Sequence, residues 1–238
     1  MEKRKKLEQL QGKWNRLKFT LVELSFIVPV IFILIRMLTG KIQTSDAGYH
    51  STADYLLMII QCLLGCVALH IPAIISKKLH FQIPGLMYGL YITFLYCAIF
   101  LGEVRSFYYR IPHWDTYLHG MSSLMTGFLG MIFISVLNRD EKVTMKLSPF
   151  FVALFAFSFS VMIGAVWEIY EYTFDGLLGL NMQKFMLVDG TVLEGHAALS
   201  DTMKDLIVDA SGALIASVIG YFSVKNNATW YIPVLKQD

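Results

Sequence analysis

This sequence predicts an all-α, polytopic membrane bundle of about six transmembrane helices, and three observations carry that reading. Of 238 residues, 55% are hydrophobic and only 16% charged, with a mean hydropathy of +0.54, whereas soluble domains carry about 25% charged residues. The few charges bound long uncharged runs. The basic residues also fall on alternate connections, as they do when one side of a bundle stays in the cytoplasm.

Residues 1–18 form a basic arm, in which seven Lys and Arg surround Leu7, Leu10, Trp14 and Leu17 at helical spacing. That is the pattern of a helix lying on an anionic inner leaflet, although its simplest role is to enforce orientation. The first span, about Phe19–Leu38, tolerates Glu23 and Arg36 near its ends. It is longer than a signal-peptide core and no small-x-small site follows it, so it is expected to be a retained anchor. Tyr55–Ser76, Leu79–Gly102, Thr116–Asn138 and Leu147–Trp167 then give 22, 24, 23 and 21 uncharged positions, each enough for a helix that needs roughly 20 apolar residues to cross a bilayer. The sixth span, about Asp201–Val224, has an acidic first half. Residues 225–238 follow as a tail, and residues 19–224 are expected to form one transmembrane domain with no internal repeat or boundary.

The basic arm, Lys77 and Lys78, Arg139, Lys142 and Lys146, and Lys225 and Lys236 together hold 14 of the 20 basic residues, all on one side of a six-span layout. Both termini are therefore expected in the cytoplasm. Arg36, Lys41, Arg105, Arg110, Lys184 and Lys204 are left on or near the outer side. The longest outer connection, Gly176 to Ser200, carries Leu177, Leu178, Leu180, Phe185, Met186 and Leu187, too apolar for a free loop and suited to a lid on the membrane face. With a net charge of only +2 and no basic stripe interleaved with aromatics, nucleic acid is not an expected partner. Cys62, Cys66 and Cys97 lie within apolar spans and read as small hydrophobes, with no CxxC motif among them.

The acidic residues are distributed the opposite way: 12 of 18 lie on the outer side or in the outer half of a span. The fourth span opens with Pro112-His113-Trp114-Asp115 and reaches His119 one turn later, with Ser122 and Thr126 continuing the same face inward. The fifth closes with Trp167-Glu168, then Glu171 and Asp175, whose spacings of three and four place them on one arc with Gly164. In the sixth, Asp201, Asp205 and Asp209 recur every four residues, with Gly212 next along that face. At 1.5 Å per residue, Asp209 is roughly 12 Å further into the helix than Asp201.

Asp115 and Asp201 sit at helix N-termini, where a carboxylate is stabilised by the dipole, and Ser200 is a good N-cap. Capping does not account for Glu168 and Glu171 near a helix C-terminus, nor for Asp205 and Asp209 inside a span. A carboxylate near the middle of a membrane helix costs roughly 2.5–3.5 kcal/mol, so a group of them requires compensation. A divalent metal is the economical source, with ligands drawn from His113, Asp115, His119, Glu168 and Asp205, and with Asp175 and Asp201 supporting them. Imidazole favours Zn²⁺, and several carboxylates favour Mn²⁺. His50, His70, His80 and His196 read as hydrogen-bonded structural residues, His196 with reserve because it lies in the lid loop.

These blocks, Pro112-His113-Trp114-Asp115 with His119, Trp167-Glu168 with Glu171 and Asp175, and Asp201-Thr202 with Asp205-Leu206 and Asp209 before Gly212-Ala213, resemble the YjdF-like bacterial inner-membrane proteins over roughly residues 20–225. The resemblance implies the fold and marks the polar residues, and the family has no assigned activity. A weaker similarity links the layout to VanZ-like envelope proteins, but Asp209 stands where that pattern has Asn, the position on which a glycopeptide-resistance role would depend.

Two functions compete. The first is a metal-dependent hydrolase or transferase acting on a membrane lipid or envelope headgroup, with Glu171 and Asp209 as catalytic carboxylates and Arg105 and Arg110 holding the headgroup. No GxSxG or HExxH motif accompanies the site. The second is ion or small-solute transport or sensing, which uses intramembrane carboxylates in the same way. Toward the cytoplasm Ser122, Ser123 and Thr126 give way to apolar residues, and Ser158, Ser160, Ser211 and Ser217 are isolated, which favours an outward-facing site over a conduit. A scaffold binding a structural ion is the third possibility.

Overall fold

A computed structural model describes residues 2–39, 52–78, 81–83, 85–137, 147–187, 189–226 and 234–235, with side chains left undescribed at residues 2–13, 81–82, 86, 135–137 and 234–235. His50, His80, Lys41, Asp46, Arg139, Lys142, Lys146 and most of the 225–238 tail lie outside the described residues, as do the side chains of the arm up to residue 13. The chain is built from α1 (Glu2–Leu38), α2 (Thr52–Lys78), β1 (Phe81–Gln82), α3 (Gly85–Leu95) continued by a π-helical stretch (Tyr96–Val104), α4 (Phe107–Arg110), α5 (Trp114–Leu137), α6 (Pro149–Leu178), α7 (Ser200–Lys225) and β2 (Val234–Leu235). Among the described residues, six helices are long and apolar enough to cross a membrane, spanning Trp14–Leu38, Thr52–Lys78, Met87–Val104, Trp114–Ile134, Pro149–Leu178 and Ser200–Lys225. The all-helical, six-span class expected from the charge spacing is the fold observed.

The chain packs as two compact units, Met1–Trp114 with Pro233–Asp238, and Asp115–Ile232. In the first, α1, α2 and α3 enclose a core of Val22, Phe26, Val30, Cys62, Leu69, Ile92 and Leu95. Gly65 lets Phe26 and Ile99 close over α2, since a Cβ there would lie 2.6 Å from Ile99 Cδ1. The π-helical stretch ends where the Arg105 amide donates back to the Phe100 carbonyl at 2.9 Å, one residue further than an α-helix reaches. Its Glu103 accepts a hydrogen bond from Gln61 Nε2 at 3.2 Å. The pairing of Phe81–Gln82 with Val234–Leu235 brings the connection after the second span and the segment after the sixth to one end of this unit.

The second unit holds α5, α6, α7 and the α6–α7 connection. Its helices are inverted relative to a soluble protein: Val166, Ile169, Leu214, Ile215, Val218 and Phe222 point outward, while Asp205, Asp209 and Ser217 are buried. Without water, burial of apolar surface cannot drive helices together, so close packing of small residues must. A Cβ on Gly127 would lie 2.6 Å from Ala216 Cβ, one on Gly212 would collide with Ser123 Oγ, and one on Gly220 would collide with Met131 Sδ.

Two boundaries differ from the sequence expectation. The fifth helix runs past the uncharged stretch Leu147–Trp167 to Leu178; Ser148 caps its start by accepting from the Phe151 amide at 3.2 Å, and Gly179, at φ 66°, ends it. Glu168, Glu171 and Asp175 are thereby fixed on a continuous helical arc. In α7, Ser200 is the first helical residue and not the cap; Leu199 holds the cap position without a side-chain bond. Asp201 turns its carboxylate to a lysine instead.

Gly127→Leu should lower the thermal unfolding midpoint of the detergent-solubilised protein, since overpacking costs about 1–3 kcal/mol. Leu214→Ala, on the outward face, should leave it within about 0.5 kcal/mol of wild type. Equal midpoints for the two variants would refute the small-residue packing argument.

Candidate functional site

The site is assembled within the second unit from one polar face of each of its three helices. Asp115 and His119 come from the first turns of α5, Glu168, Glu171 and Asp175 from the last turns of α6, and Asp201, Asp205 and Asp209 from the first turns of α7. His119 and Glu168 are each 5% exposed, Asp205 2% and Asp209 1%. Gly164 makes the approach of α7 possible, because a Cβ there would collide with the Asp209 carboxylate.

His119 is gripped on both nitrogens. Nδ1 lies 3.1 Å from Asp209 Oδ2, while Nε2 lies 3.8 Å from Asp115 Oδ1 and 3.9 Å from Glu168 Oε1. A proton on Nδ1 donated to Asp209 leaves the Nε2 lone pair directed at these two carboxylates. Asp115, His119 and Asp205 each present a ligand atom, and those atoms lie within 4.8 Å of one another. Two buried oxygens of the cluster, Glu168 Oε1 and Asp209 Oδ1, have no hydrogen-bond partner among the described residues. A buried acceptor left unpaired costs about 1–3 kcal/mol, more when charged, so these oxygens are among the atoms that could hold a cation.

The α6–α7 connection closes over these groups. Asp175 holds its start by accepting from the Met182 amide at 2.7 Å through Oδ1 and the Gln183 amide at 3.0 Å through Oδ2. Gln183 Nε2 then donates to Thr202 Oγ1 at 2.8 Å and to Glu168 Oε2 at 3.3 Å. Lys184 follows at φ 47°, a left-handed conformation that is uncommon without glycine. It places Nζ 2.6 Å from Asp115 Oδ2 and 3.1 and 3.3 Å from the two Asp201 oxygens. Partial burial opposes the ammonium charge, but Asp115 and Asp201 outweigh it and hold the Lys184 pKa above the ordinary lysine value. Beyond it, Met186 and Val192 pair in a small hairpin, with the Leu193 amide donating to the Phe185 carbonyl at 2.8 Å.

The sequence-derived candidates thus separate into groups. Asp115, His119 and Asp205 come together, with Glu168 and Asp209 flanking the imidazole. Glu171 is buried and accepts from Trp167 Nε1 at 3.0 Å. Asp201 pairs with Lys184, and Asp175 fastens the loop. Arg105, Arg110 and His113 are exposed and belong to the first unit, with His113 at φ 60° in the turn before α5. His70 bonds the Cys66 carbonyl at 2.8 Å from an exposed position, and His196 is exposed. Lys184, Gln183, Thr202 and Trp167 were not among the candidates. Lys184 had one available signal, being the sole cation between Gly176 and Ser200.

Fold and site together define a multi-pass membrane protein with an acidic, histidine-containing centre buried inside its helices. The family model described as "Predicted membrane protein (DUF2238)" matches residues 31–226, and the chain belongs to that family. An "Uncharacterized protein" of Thermotoga maritima (strain ATCC 43589 / DSM 3109 / JCM 10099 / NBRC 100826 / MSB8) is 27% identical over 160 residues, 67% of this chain and 74% of its own length. No solved structure matches the chain. The expected membership of a membrane family without assigned activity holds, while the weaker similarity to VanZ-like proteins has no counterpart among these matches.

Asp175→Ala should release the loop while α6 stays intact. Losing hydrogen bonds to a charged group costs about 1.5–3 kcal/mol, so the Met182 and Gln183 amides should exchange roughly ten- to a hundredfold faster. Unchanged exchange would show that the loop is held by other contacts.

Proposed function

We propose that this protein binds one divalent metal ion, Zn²⁺ or Mn²⁺, through His119, Asp115 and Asp205 with Glu168 beside them, and uses it in hydrolysis or group transfer on a membrane lipid or envelope substrate. One observation carries the reading: the His119 Nε2 face meets Asp115 Oδ1 and an unpartnered, buried Glu168 Oε1 at 3.8 and 3.9 Å. Ligand atoms on a tetrahedral zinc stand about 3.4 Å apart, so a modest contraction would close the set. Metal-ligating histidines characteristically give their other ring N–H to a carboxylate, the position Asp209 holds toward Nδ1. Three or more oxygens against one nitrogen favour Mn²⁺, while the imidazole keeps Zn²⁺ in contention.

The ion would supply Lewis acidity toward a substrate oxygen. Asp209 fixes the imidazole orientation, and Glu171, buried one turn beyond Glu168, is the general base in this assignment. The site's depth and the lipid-facing helices around it support a substrate presented by the membrane. We infer cytoplasmic termini from the distribution of the basic residues, and a bacterial cytoplasmic membrane from the family resemblance.

Transport of a cation is a second reading, favoured by a polar seam running inward from the site. Ser160, isolated among apolar residues in sequence, donates to the Ser123 carbonyl at 2.8 Å and meets Thr126 Oγ1 at 2.8 Å. Ser217 Oγ, eight residues beyond Asp209 on α7, is buried without a partner.

Elemental analysis of the purified protein should find close to one equivalent of Zn or Mn, lost in His119→Ala and Asp205→Ala. Folded, monodisperse wild-type protein that neither carries nor takes up metal would sink the proposal. Incubating wild type with envelope lipid extract should convert one component, and Glu171→Gln should abolish the conversion while retaining the metal. Metal flux into proteoliposomes without lipid conversion would decide for transport.

A further inference from the structure

Asp115 faces both the imidazole and a lysine. Its Oδ1 looks at His119 Nε2, 3.8 Å away, while its Oδ2 receives Lys184 Nζ at 2.6 Å. Lys184 is thus already a cation of the centre, seated on Asp115 and Asp201 by three oxygen contacts. It reaches that seat through a left-handed backbone conformation, which persists where surrounding contacts enforce it. The contacts that enforce it are themselves acidic: Asp175 on the Met182 and Gln183 amides, and Glu168 on the Gln183 side chain. Glu168 belongs to the same group of ligand candidates, so the segment Asn181–Leu187 is tied to the centre at both Asp115 and Glu168.

We propose that Lys184 is a tethered cation in competition with the divalent ion, so that metal loading loosens the segment Asn181–Leu187 and removal of the lysine charge tightens metal binding. This rests on the metal-site reading above and adds the regulation of that site. The coupling is electrostatic. A divalent ion on Asp115 Oδ1 withdraws from Asp115 the negative charge that holds Lys184, and repels the ammonium directly through a poorly screened interior. Demand by the ion for Glu168 removes the carboxylate that accepts from Gln183. Linkage makes the effect reciprocal: whatever factor the ion costs the lysine contact, the lysine costs the ion. With the ion absent the lysine partly neutralises the acids and keeps the segment closed. With the ion bound, the segment opens on the site beneath it.

Two measurements test this. In detergent-solubilised full-length protein, Mn²⁺ titration should give a dissociation constant about tenfold or more lower for Lys184→Met than for wild type, with Lys184→Arg close to wild type. Independently of any variant, the acetylation rate of Lys184 in the wild type, followed by mass spectrometry, should rise several-fold as Mn²⁺ is added, while exposed Lys204 keeps a constant rate. Stoichiometric binding with an affinity equal to or weaker than wild type in Lys184→Met, or a flat acetylation rate, overturns the competition and leaves the metal site standing. Absence of Mn²⁺ or Zn²⁺ binding in both proteins overturns the metal site and this inference with it. Should Lys184→Met fail to fold, the acetylation measurement decides alone.

Discussion

Everything in the second unit follows from the expense of placing carboxylates where water is scarce. Asp115, Glu168, Glu171, Asp175, Asp205 and Asp209 are all buried among helices whose outer faces are hydrocarbon. An isolated charge there would cost several kcal/mol, so each acid must find a donor, a cation or another acid with which to share a proton. Partners do exist: the Met182 and Gln183 amides for Asp175, Trp167 for Glu171, Lys184 for Asp115 and Asp201, and His119 for Asp209. They leave Glu168 Oε1 and Asp209 Oδ1 unserved, on either side of one imidazole. The local deficit of positive charge is therefore a property of the packed helices.

The helices accommodate these acids by omitting side chains. Gly164 makes room for Asp209, and Gly212 makes room for Ser123. The same glycines that bring α5, α6 and α7 close enough to share a polar interior also replace the hydrophobic driving force that a membrane does not provide. Packing and site are one design: enlarging either glycine would separate the helices and their polar side chains together.

The sequence revealed the part of this that is periodic. Spans were legible because the distance between charges matches a bilayer crossing, and the acidic faces were legible because residues three and four apart share a side of a helix. Asp115 with His119, Glu168 with Glu171, and Asp205 with Asp209 could each be placed on one face of their own helix on that basis, but which of them meet across helices could not. What local sequence could not show was long-range geometry in the loop. Lys184 meets Asp115 across 69 positions, and nothing near Lys184 announces that its backbone turns left-handed. Ser200 looked like a cap because it precedes an acidic helical turn, yet Asp201 is engaged by the loop. His113, named as a ligand candidate for its adjacency to Asp115, lies in the turn before α5 at φ 60°.

The length of α6 has a further consequence. Its 30 residues extend about 45 Å at 1.5 Å per residue, against a hydrocarbon thickness of roughly 30 Å. The surplus is met by tilting or by projection into the headgroup layer, and the acids occupy its final turns. How deeply Glu168 and Glu171 sit below the headgroups is thus set jointly by the protein and by the acyl-chain length of the surrounding lipid. A thicker bilayer draws the site toward hydrocarbon, and a thinner one lifts it toward water, which makes membrane composition a physical variable acting on the charges of the site.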